Sequence, residues 1–306
     1  MSISALAGAI APVLLLVLIG IALRRFRVLR REDSTALNGV IVYVALPALI
    51  FTSVAAAPLS FEMVRAAGVA WAVSLAALSI AWEIAHVLRL PAKTAGGFVL
   101  VAALGNTGYL GYPIVRALLG EGAIPAAVFY DVFGTVAVLF TLGVVVAARY
   151  GEHEGRVNVV KELFIFPAMI ALLVALAYRF LPLPAAVSAT VMDWTGIAAK
   201  MAVPLIMVSL GVSLDFSALR GSLAPLGALA GVKLLLLPAL AVAVAMLMKD
   251  TSGLRVLALQ AGMPSMMLTL VVGARFKLDT AFIAAAILVT TIGCLVTIPL
   301  VQLLIP

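Results

Sequence analysis

Charged residues are scarce in this sequence of 306 residues, making up 11% of it, whereas hydrophobic residues make up 65%. So little polar surface cannot cover a soluble globule of this size. Runs of about 20 apolar residues recur along the whole length, and each is enough to cross a hydrocarbon core about 30 Å thick. The short alternating segments of a membrane β-barrel are not visible. The sequence therefore predicts an all-α integral membrane protein.

Cysteine and histidine are also rare. A single cysteine, Cys294, excludes an intrachain disulfide and a thiolate metal cluster. The two histidines, His86 and His153, show no metal-ligand spacing, and Gly-x-Ser-x-Gly and phosphate-loop motifs are missing. We therefore expect no catalysis, no cofactor and no metal. The net charge of +7 does not call for nucleic acid, because loop lysines and arginines that orient a membrane protein explain it.

Hydropathy predicts ten transmembrane spans. The first is span-length, has no basic region before it and is followed directly by arginines, which favours a membrane helix over a signal peptide. The predicted spans, numbered one to ten, are residues 3–23, 34–57, 66–88, 94–118, 125–148, 161–181, 187–214, 222–248, 254–274 and 278–304.

Loop charges predict the orientation. One set of alternate loops carries thirteen lysines and arginines and the other carries five, while Lys200 and Lys233 fall within spans. Positively charged loops stay in the cytoplasm, so both termini are expected on the outer side. We expect a multi-pass protein of the cell membrane, in a bacterium the inner membrane, with the lipid bilayer as its surroundings.

The polar stretch from Arg149 to Glu162 divides the spans into five and five. An odd number of spans in each half means that any internal repeat must be inverted. A faint repeat is present, since "NGVIVYVALPALIF" from Asn38 matches "TGIAAKMAVPLIMV" from Thr195 at an offset of about 157 positions. The predicted organisation is a first five-helix repeat over 1–148, a cytoplasmic linker over 149–162 and a second repeat over 163–306.

Two of the spans contain residues that disfavour a continuous helix. Span four contains "GNTGYLGYP", Gly105–Pro113, and span nine contains "QAGMPSMML", Gln260–Leu268. Unwound backbone at membrane depth is costly unless it lines a cavity or is buried in protein. Matched breaks in two inverted halves indicate a transporter binding site, where the positive ends of half-helices suit an anion such as a carboxylate. The alternative is that each break is a kink that only serves packing.

These residues resemble a known family. Asn106-Thr107 followed by Gly111-x-Pro113 in span four, with Met263-Pro264-Ser265 in span nine, is similar to the auxin efflux carrier family, and the resemblance covers nearly the whole chain. It implies a scaffold of spans one, two, six and seven and a transport domain of spans three to five and eight to ten. It also implies that spans four and nine cross at their broken points, near Pro113 and Pro264, where Asn106 contacts a substrate carboxylate.

The candidate substrate-binding residues follow from the two breaks and this resemblance. Lys200 is added as a second anion contact, because it lies near mid-membrane on the second-half copy of the Pro47 helix and, in the family architecture, faces the crossing. The alternative for Lys200 is a structural role. The complete set is Asn106, Thr107, Tyr109, Gly111, Pro113, Lys200, Gln260, Met263, Pro264 and Ser265.

Other ionisable residues within spans are candidates for coupling or for structural charge. Asp131 in span five either binds a proton or sodium, or satisfies the loose backbone of the neighbouring break. Lys233 in span eight either snorkels or pairs with a carboxylate. Glu83, with His86, lies near the cytoplasmic end of span three and either reaches the interface or serves coupling.

The function predicted from these features is secondary transport of a small organic anion, a carboxylate or an auxin-like acid, by an elevator-type alternating-access movement. The first alternative is a sodium- or proton-coupled symporter or antiporter of related fold, although such proteins tend to carry acidic pairs in the broken helices. A receptor or structural subunit is the second. A homodimer remains open.

Overall fold

The computed structural model describes residues 3–56, 61–152, 167–213, 223–248 and 253–304. Over these ranges the protein is helical, and the only extended pairing is an isolated antiparallel bridge between Gly105 and Ser265. The linker predicted at 149–162 lies outside the described residues from residue 153 onward, as do the first residues of span six.

Helices occupy the positions of the predicted spans wherever the chain is described. Spans four and nine are each divided into two shorter helices. In chain order, the helices are Ile3–Arg25, Arg31–Ala56, Phe61–Val87, Ala92–Ala103 with Gly111–Leu119, Ala126–Tyr150, Pro167–Tyr178, Ala185–Ser213, Leu223–Leu247, Leu254–Ala261 with Leu268–Arg275, and Thr280–Leu304.

Six of these helices are long and apolar enough to cross a membrane by length and composition. The halves of span four have 12 and 9 residues and those of span nine have 8 each, so none of them could cross alone. The protein is therefore an all-helical, multi-pass membrane protein. The full count of ten spans and their inverted repetition remain predictions.

Local irregularities precede three prolines within long helices. The helix is π-type over Ile41–Ala45, before Pro47, and over Val232–Leu236, before Pro238. A turn at Met201 separates the helix Ala185–Lys200 from the helix that contains Pro204. A proline lacks the N–H that would bond four residues back, and its ring crowds that carbonyl, so the preceding turn widens or opens. The irregularities at Pro47 and Pro204 fall at matching positions of the faint sequence repeat.

The chain separates into two compact units. The first comprises 1–12, 59–155 and 214–306 and so contains spans three to five and eight to ten. The second comprises 13–58 and 156–213 and contains spans two, six and seven with most of span one.

The second unit is held together by close helix packing and a few polar contacts. Gly20 of span one and Gly211 of span seven lie face to face, and a Cβ on Gly211 would meet the Gly20 Cα at 2.9 Å and overlap the Val17 carbonyl. The hydroxyl of Ser209 donates to Oδ1 of Asn38 over 2.9 Å. Small residues allow such an approach between membrane helices, where polar side chains add interhelical hydrogen bonds.

At one end of the first unit, polar contacts join spans four, five and ten. Lys93 pairs with Glu152 at 2.6 Å, and Thr94 donates to Asp279 over 2.8 Å. The Lys93 ammonium lowers the pKa of the exposed Glu152 carboxyl, first through its hydrogen bond and then through its charge. An exposed pair of this kind contributes little to stability.

Candidate functional site

The breaks in spans four and nine lie against each other within the first unit. The N–H of Asn106 donates to the Pro264 carbonyl over 2.7 Å, and the N–H of Met266 donates to the Leu104 carbonyl over 2.9 Å. We call Leu104–Asn106 and Pro264–Met266 the crossing. The two reciprocal bonds satisfy backbone groups that unwinding had freed, which is how non-helical backbone is tolerated at membrane depth.

The crossing lies earlier in span four than the sequence suggested. We expected it near Pro113, but the chain unwinds after Ala103 and the second half-helix begins at Gly111. Pro113 is therefore the third residue of that half-helix. The first turn of a helix has N–H groups without helical partners, so a proline there starts the helix and does not break it.

Lys233 reaches the crossing from span eight, and its side chain is 2% exposed. Its Nζ donates to the Ala261 carbonyl over 3.3 Å and lies 3.1 Å from the position that a Cβ on Gly105 would take. Ala261 is the last residue of the first half-helix of span nine, where the helix dipole is negative. Lys233 therefore neither snorkels nor pairs with a carboxylate, the two alternatives predicted from the sequence; it bonds to a backbone carbonyl at a helix C-terminus.

Asp131 reaches the span-four break from span five and is 6% exposed. Its Oδ1 accepts a hydrogen bond from Thr107 over 2.5 Å, and its Oδ2 accepts one from the Tyr112 hydroxyl over 2.7 Å. Asp131 thus binds hydroxyl groups, and the predicted contact with loose backbone is not among its hydrogen bonds in the described chain. Tyr112 lies in the first turn of a half-helix, whose positive end favours a nearby carboxylate.

Gln260 joins three parts of the first unit and is fully buried. Its Nε2 donates to the carbonyls of Thr107, over 3.2 Å, and Ala127, over 3.0 Å. Its Oε1 lies so close to Gly111 that a Cβ there would overlap it. The amide of Gln260 therefore locks the turn of span four to spans five and nine, and its two N–H donors are already used.

Ser265 is held in place by helices on two sides. Its hydroxyl donates to the Val101 carbonyl over 2.8 Å, and its N–H donates to the Thr290 hydroxyl over 3.0 Å. Met263 is also fully buried next to the Pro264 carbonyl that Asn106 binds. The predicted span-nine residues therefore shape the crossing mainly through backbone and packing.

Two side-chain donors at the span-four break have no hydrogen-bond partner in the described chain. They are Nδ2 of Asn106, whose side chain is 1% exposed, and the hydroxyl of Tyr109. Buried polar groups are nearly always paired, and an unpaired one costs about 1–3 kcal/mol. Together with the ammonium of Lys233, they are hydrogen-bond donors whose chemistry fits a carboxylate.

The structure brings most of the predicted site residues together, with two exceptions. Lys200 lies in the second unit at the end of the helix Ala185–Lys200, and its side chain is exposed. Glu83 is exposed on the helix Phe61–Val87, as is His86, which stacks on Trp82 at 6.0 Å between ring centroids. His86 and Trp82 line a concavity of about 430 Å³ whose lining contains none of the crossing residues.

Sequence reasoning missed Tyr112 and Thr290. Tyr112 lies within the quoted glycine-rich stretch, and its hydroxyl at membrane depth could have marked it as a partner for Asp131. Thr290 is one of two adjacent threonines in span ten and gave no distinguishing signal, because threonines are common in membrane helices.

An all-helical membrane protein whose two broken helices pair at buried polar residues has the architecture of a transport protein. The sequence model of the family described as "Membrane transport protein" matches residues 5–302. The chain therefore belongs to this family, which is that of the auxin efflux carriers.

Three relatives match nearly end to end. An uncharacterized transporter of Methanothermobacter thermautotrophicus is 33% identical over 294 residues, covering 95% of both chains. Another, of Methanocaldococcus jannaschii, is 31% identical, covering 94% of this chain and 95% of the relative. A protein of Rhizobium meliloti named "Putative malonate transporter" is 26% identical, covering 95% and 93%. The family and these relatives are transporters.

Proposed function

We propose that this protein is a secondary transporter that moves a small organic anion across the cell membrane. Its substrate class is carboxylates, and malonate is the first compound to test, because a relative carries that compound in its name. The anion binds at the crossing of spans four and nine.

The observation that carries this proposal is the pair of unpartnered donors, Asn106 Nδ2 and the Tyr109 hydroxyl, at a break that the buried Lys233 reaches from span eight. A carboxylate accepts hydrogen bonds and gains most from charged or dipolar donors. A bound anion would stabilise the charged form of the buried Lys233, which a neutral or cationic substrate would not do.

Transport proceeds in this proposal by an elevator-type alternating-access movement. The first unit, with spans three to five and eight to ten, forms the transport domain and carries the crossing. The second unit forms the scaffold with spans one, two, six and seven. The separation of the chain into these two compact units supports such a division, since compact units can move as bodies.

Four further parts of the proposal rest on the sequence. Ten spans form two inverted repeats of five, both termini lie outside the cytoplasm, and the bacterial inner membrane is the location. Lys200 supplies a second positive charge to the anion during transport.

The test is carboxylate flux in vesicles reconstituted with the purified protein. Radiolabelled malonate, a monocarboxylate and an indole acid are supplied in turn, with and without the same unlabelled compound inside. We expect at least one carboxylate to exchange across the membrane, and we expect Asn106→Ala to reduce that exchange. A receptor or structural subunit would show binding without exchange. An absence of carboxylate exchange in well-folded wild-type protein would contradict the proposal.

A further inference from the structure

The buried carboxylate of Asp131 is not needed to bind an anion, and its surroundings suggest a different task. Among the acidic and basic side chains of the described residues, those of Asp131 and Lys233 are the buried ones. No ion pair joins them in the described chain: Lys233 bonds to the Ala261 carbonyl, and Asp131 bonds to two hydroxyls. An ionised carboxylate held only by neutral donors at membrane depth is costly, and protonation removes that cost.

The groups that bond to Asp131 are neutral hydroxyls, those of Thr107 and Tyr112. The Tyr109 side chain also interacts electrostatically with Asp131. The helices packed against this part of span five also carry charged or titratable residues, but within the described chain none of these pairs with Asp131 or bonds to it. On the helices Phe61–Val87 and Leu254–Ala261 they include Arg65, Glu83, His86 and Arg255.

The geometry favours a proton over a metal cation at this site. The carboxylate oxygens lie 2.5 Å from Thr107 Oγ1 and 2.7 Å from the Tyr112 hydroxyl, which leaves no space for an ion between them. Gly108 packs against another side of the Asp131 carboxylate, since a Cβ added to Gly108 would lie 2.7 Å from Asp131 Oδ2. A hard cation would need about six oxygen ligands arranged around itself.

Thr107 can pass the protonation state of Asp131 to the crossing. Its single hydroxyl proton has two acceptors in range, Asp131 Oδ1 at 2.5 Å and the Gly105 carbonyl at 3.4 Å. When Asp131 is ionised, Thr107 donates to it. When Asp131 is protonated, its O–H donates to Thr107, and the Thr107 proton turns to the carbonyl of Gly105. Gly105 is the span-four residue opposite Ser265 in the antiparallel bridge of the crossing.

We propose that Asp131 binds the proton that is co-transported with the anion, and that Thr107 links the two events. This inference rests on the proposed function. An anion held beside Thr107 disfavours a second negative charge on Asp131, so anion and proton bind together. By reciprocity, protonation of Asp131 then strengthens anion binding by the same factor.

The first test is malonate uptake into vesicles with the membrane potential clamped to zero by potassium and valinomycin. An inward gradient of about one pH unit should raise the malonate accumulation of the wild type about tenfold for one coupled proton. A sodium gradient at constant pH should have no effect. Asp131→Asn should keep malonate exchange and lose the response to the proton gradient, whereas the exposed Asp193→Asn should keep both.

Several outcomes would overturn the inference. In one, malonate accumulation by the wild type responds to the sodium gradient and not to the proton gradient. In another, malonate accumulation by Asp131→Asn still responds to the proton gradient. If that variant does not fold, Tyr112→Phe replaces it. Losing one donor to the ionised carboxylate should move the pH profile of uptake toward higher pH, and an unchanged profile counts against Asp131.

A second measurement does not depend on transport. Infrared spectra of the purified wild type over pH should show the carbonyl band of a protonated carboxyl group that titrates, and Asp131→Asn should remove it. A wild type without such a band would contradict the inference. If no carboxylate is exchanged at all, the proposed function fails, and the infrared titration alone decides whether Asp131 is a proton site.

Discussion

The N–H of Asn106 donates to the carbonyl of Pro264 over 2.7 Å, so the residue proposed to bind substrate with its side chain also holds the two breaks together with its backbone. A side-chain substitution at Asn106 leaves this backbone bond available. A substitution of Asn106 can therefore weaken substrate binding without weakening the backbone bond that joins the two breaks.

Gly111→Ala tests whether Gln260 locks the crossing. The new methyl group would overlap Gln260 Oε1 and displace the amide that holds the Thr107 and Ala127 carbonyls. Overpacking of this kind costs about 1–3 kcal/mol, so we expect a lower melting temperature together with weaker malonate binding.

Gly227→Ala is the matched control in the same unit, because a Cβ at Gly227 meets nothing within 4 Å. It should leave stability within about 1 kcal/mol of the wild type, since alanine is the better helix former. Equal effects of the two substitutions would show that Gln260 moves freely and is not a lock.

Gly211→Ala tests the close packing of spans one and seven in the second unit. Its Cβ would overlap the Val17 carbonyl and press on Gly20, both of which are backbone groups that cannot turn aside. We expect thermal unfolding at a clearly lower temperature, by a cost of about 1–3 kcal/mol or more. Gly196→Ala on the same span has open space around it and should unfold like the wild type. An equally stable Gly211→Ala would mean that the two helices can separate at little cost.

Much of the fold could be predicted from local sequence. An apolar run long enough to cross a membrane forms a helix in lipid, because a helix satisfies its backbone hydrogen bonds within the segment. Clusters such as "GNTGYLGYP" cannot continue that helix. Both interruptions therefore could be located to within a few residues. The error at Pro113 arose because a proline looks the same in sequence whether it starts a half-helix or breaks one.

The partners of the buried charges could not be predicted from the sequence. Lys233 bonds to a backbone carbonyl and Asp131 to hydroxyls on another span, and these acceptors and donors are present throughout the chain. Which of them comes into range depends on how spans five and eight pack against the two broken spans. The carbonyls of Thr107 and Ala127 use the N–H donors of Gln260, which the sequence did not indicate, and its predicted contact with substrate stays a prediction.

Lys200→Gln tests the role proposed for the exposed lysine of the second unit. If Lys200 supplies charge to the anion, this variant should bind malonate more weakly and melt like the wild type, since no buried carboxylate depends on it in the described chain. Melting temperature and affinity are measured on the same preparation. A variant that melts early and binds normally would assign Lys200 a structural role.

Lys233→Met tests the buried lysine of the crossing. The methionine keeps the apolar stem but removes the ammonium from the Ala261 carbonyl and from the proposed anion. Losing a hydrogen bond to a charged group costs about 1.5–3 kcal/mol, so malonate affinity should fall about 10- to 150-fold. Unchanged affinity, measured by calorimetry on a variant that is still folded, would remove Lys233 from the site.

The most direct test of carboxylate binding at the crossing is the malonate affinity of Asn106→Ala, measured by calorimetry beside Asn158→Ala in the predicted linker. The unpartnered Nδ2 of Asn106 is the donor on which the proposed site depends. We expect Asn106→Ala to lose about 1.5–3 kcal/mol of binding free energy with a melting temperature close to that of the wild type, and Asn158→Ala to lose none. A folded Asn106→Ala that binds malonate as tightly as the wild type would contradict the proposed site.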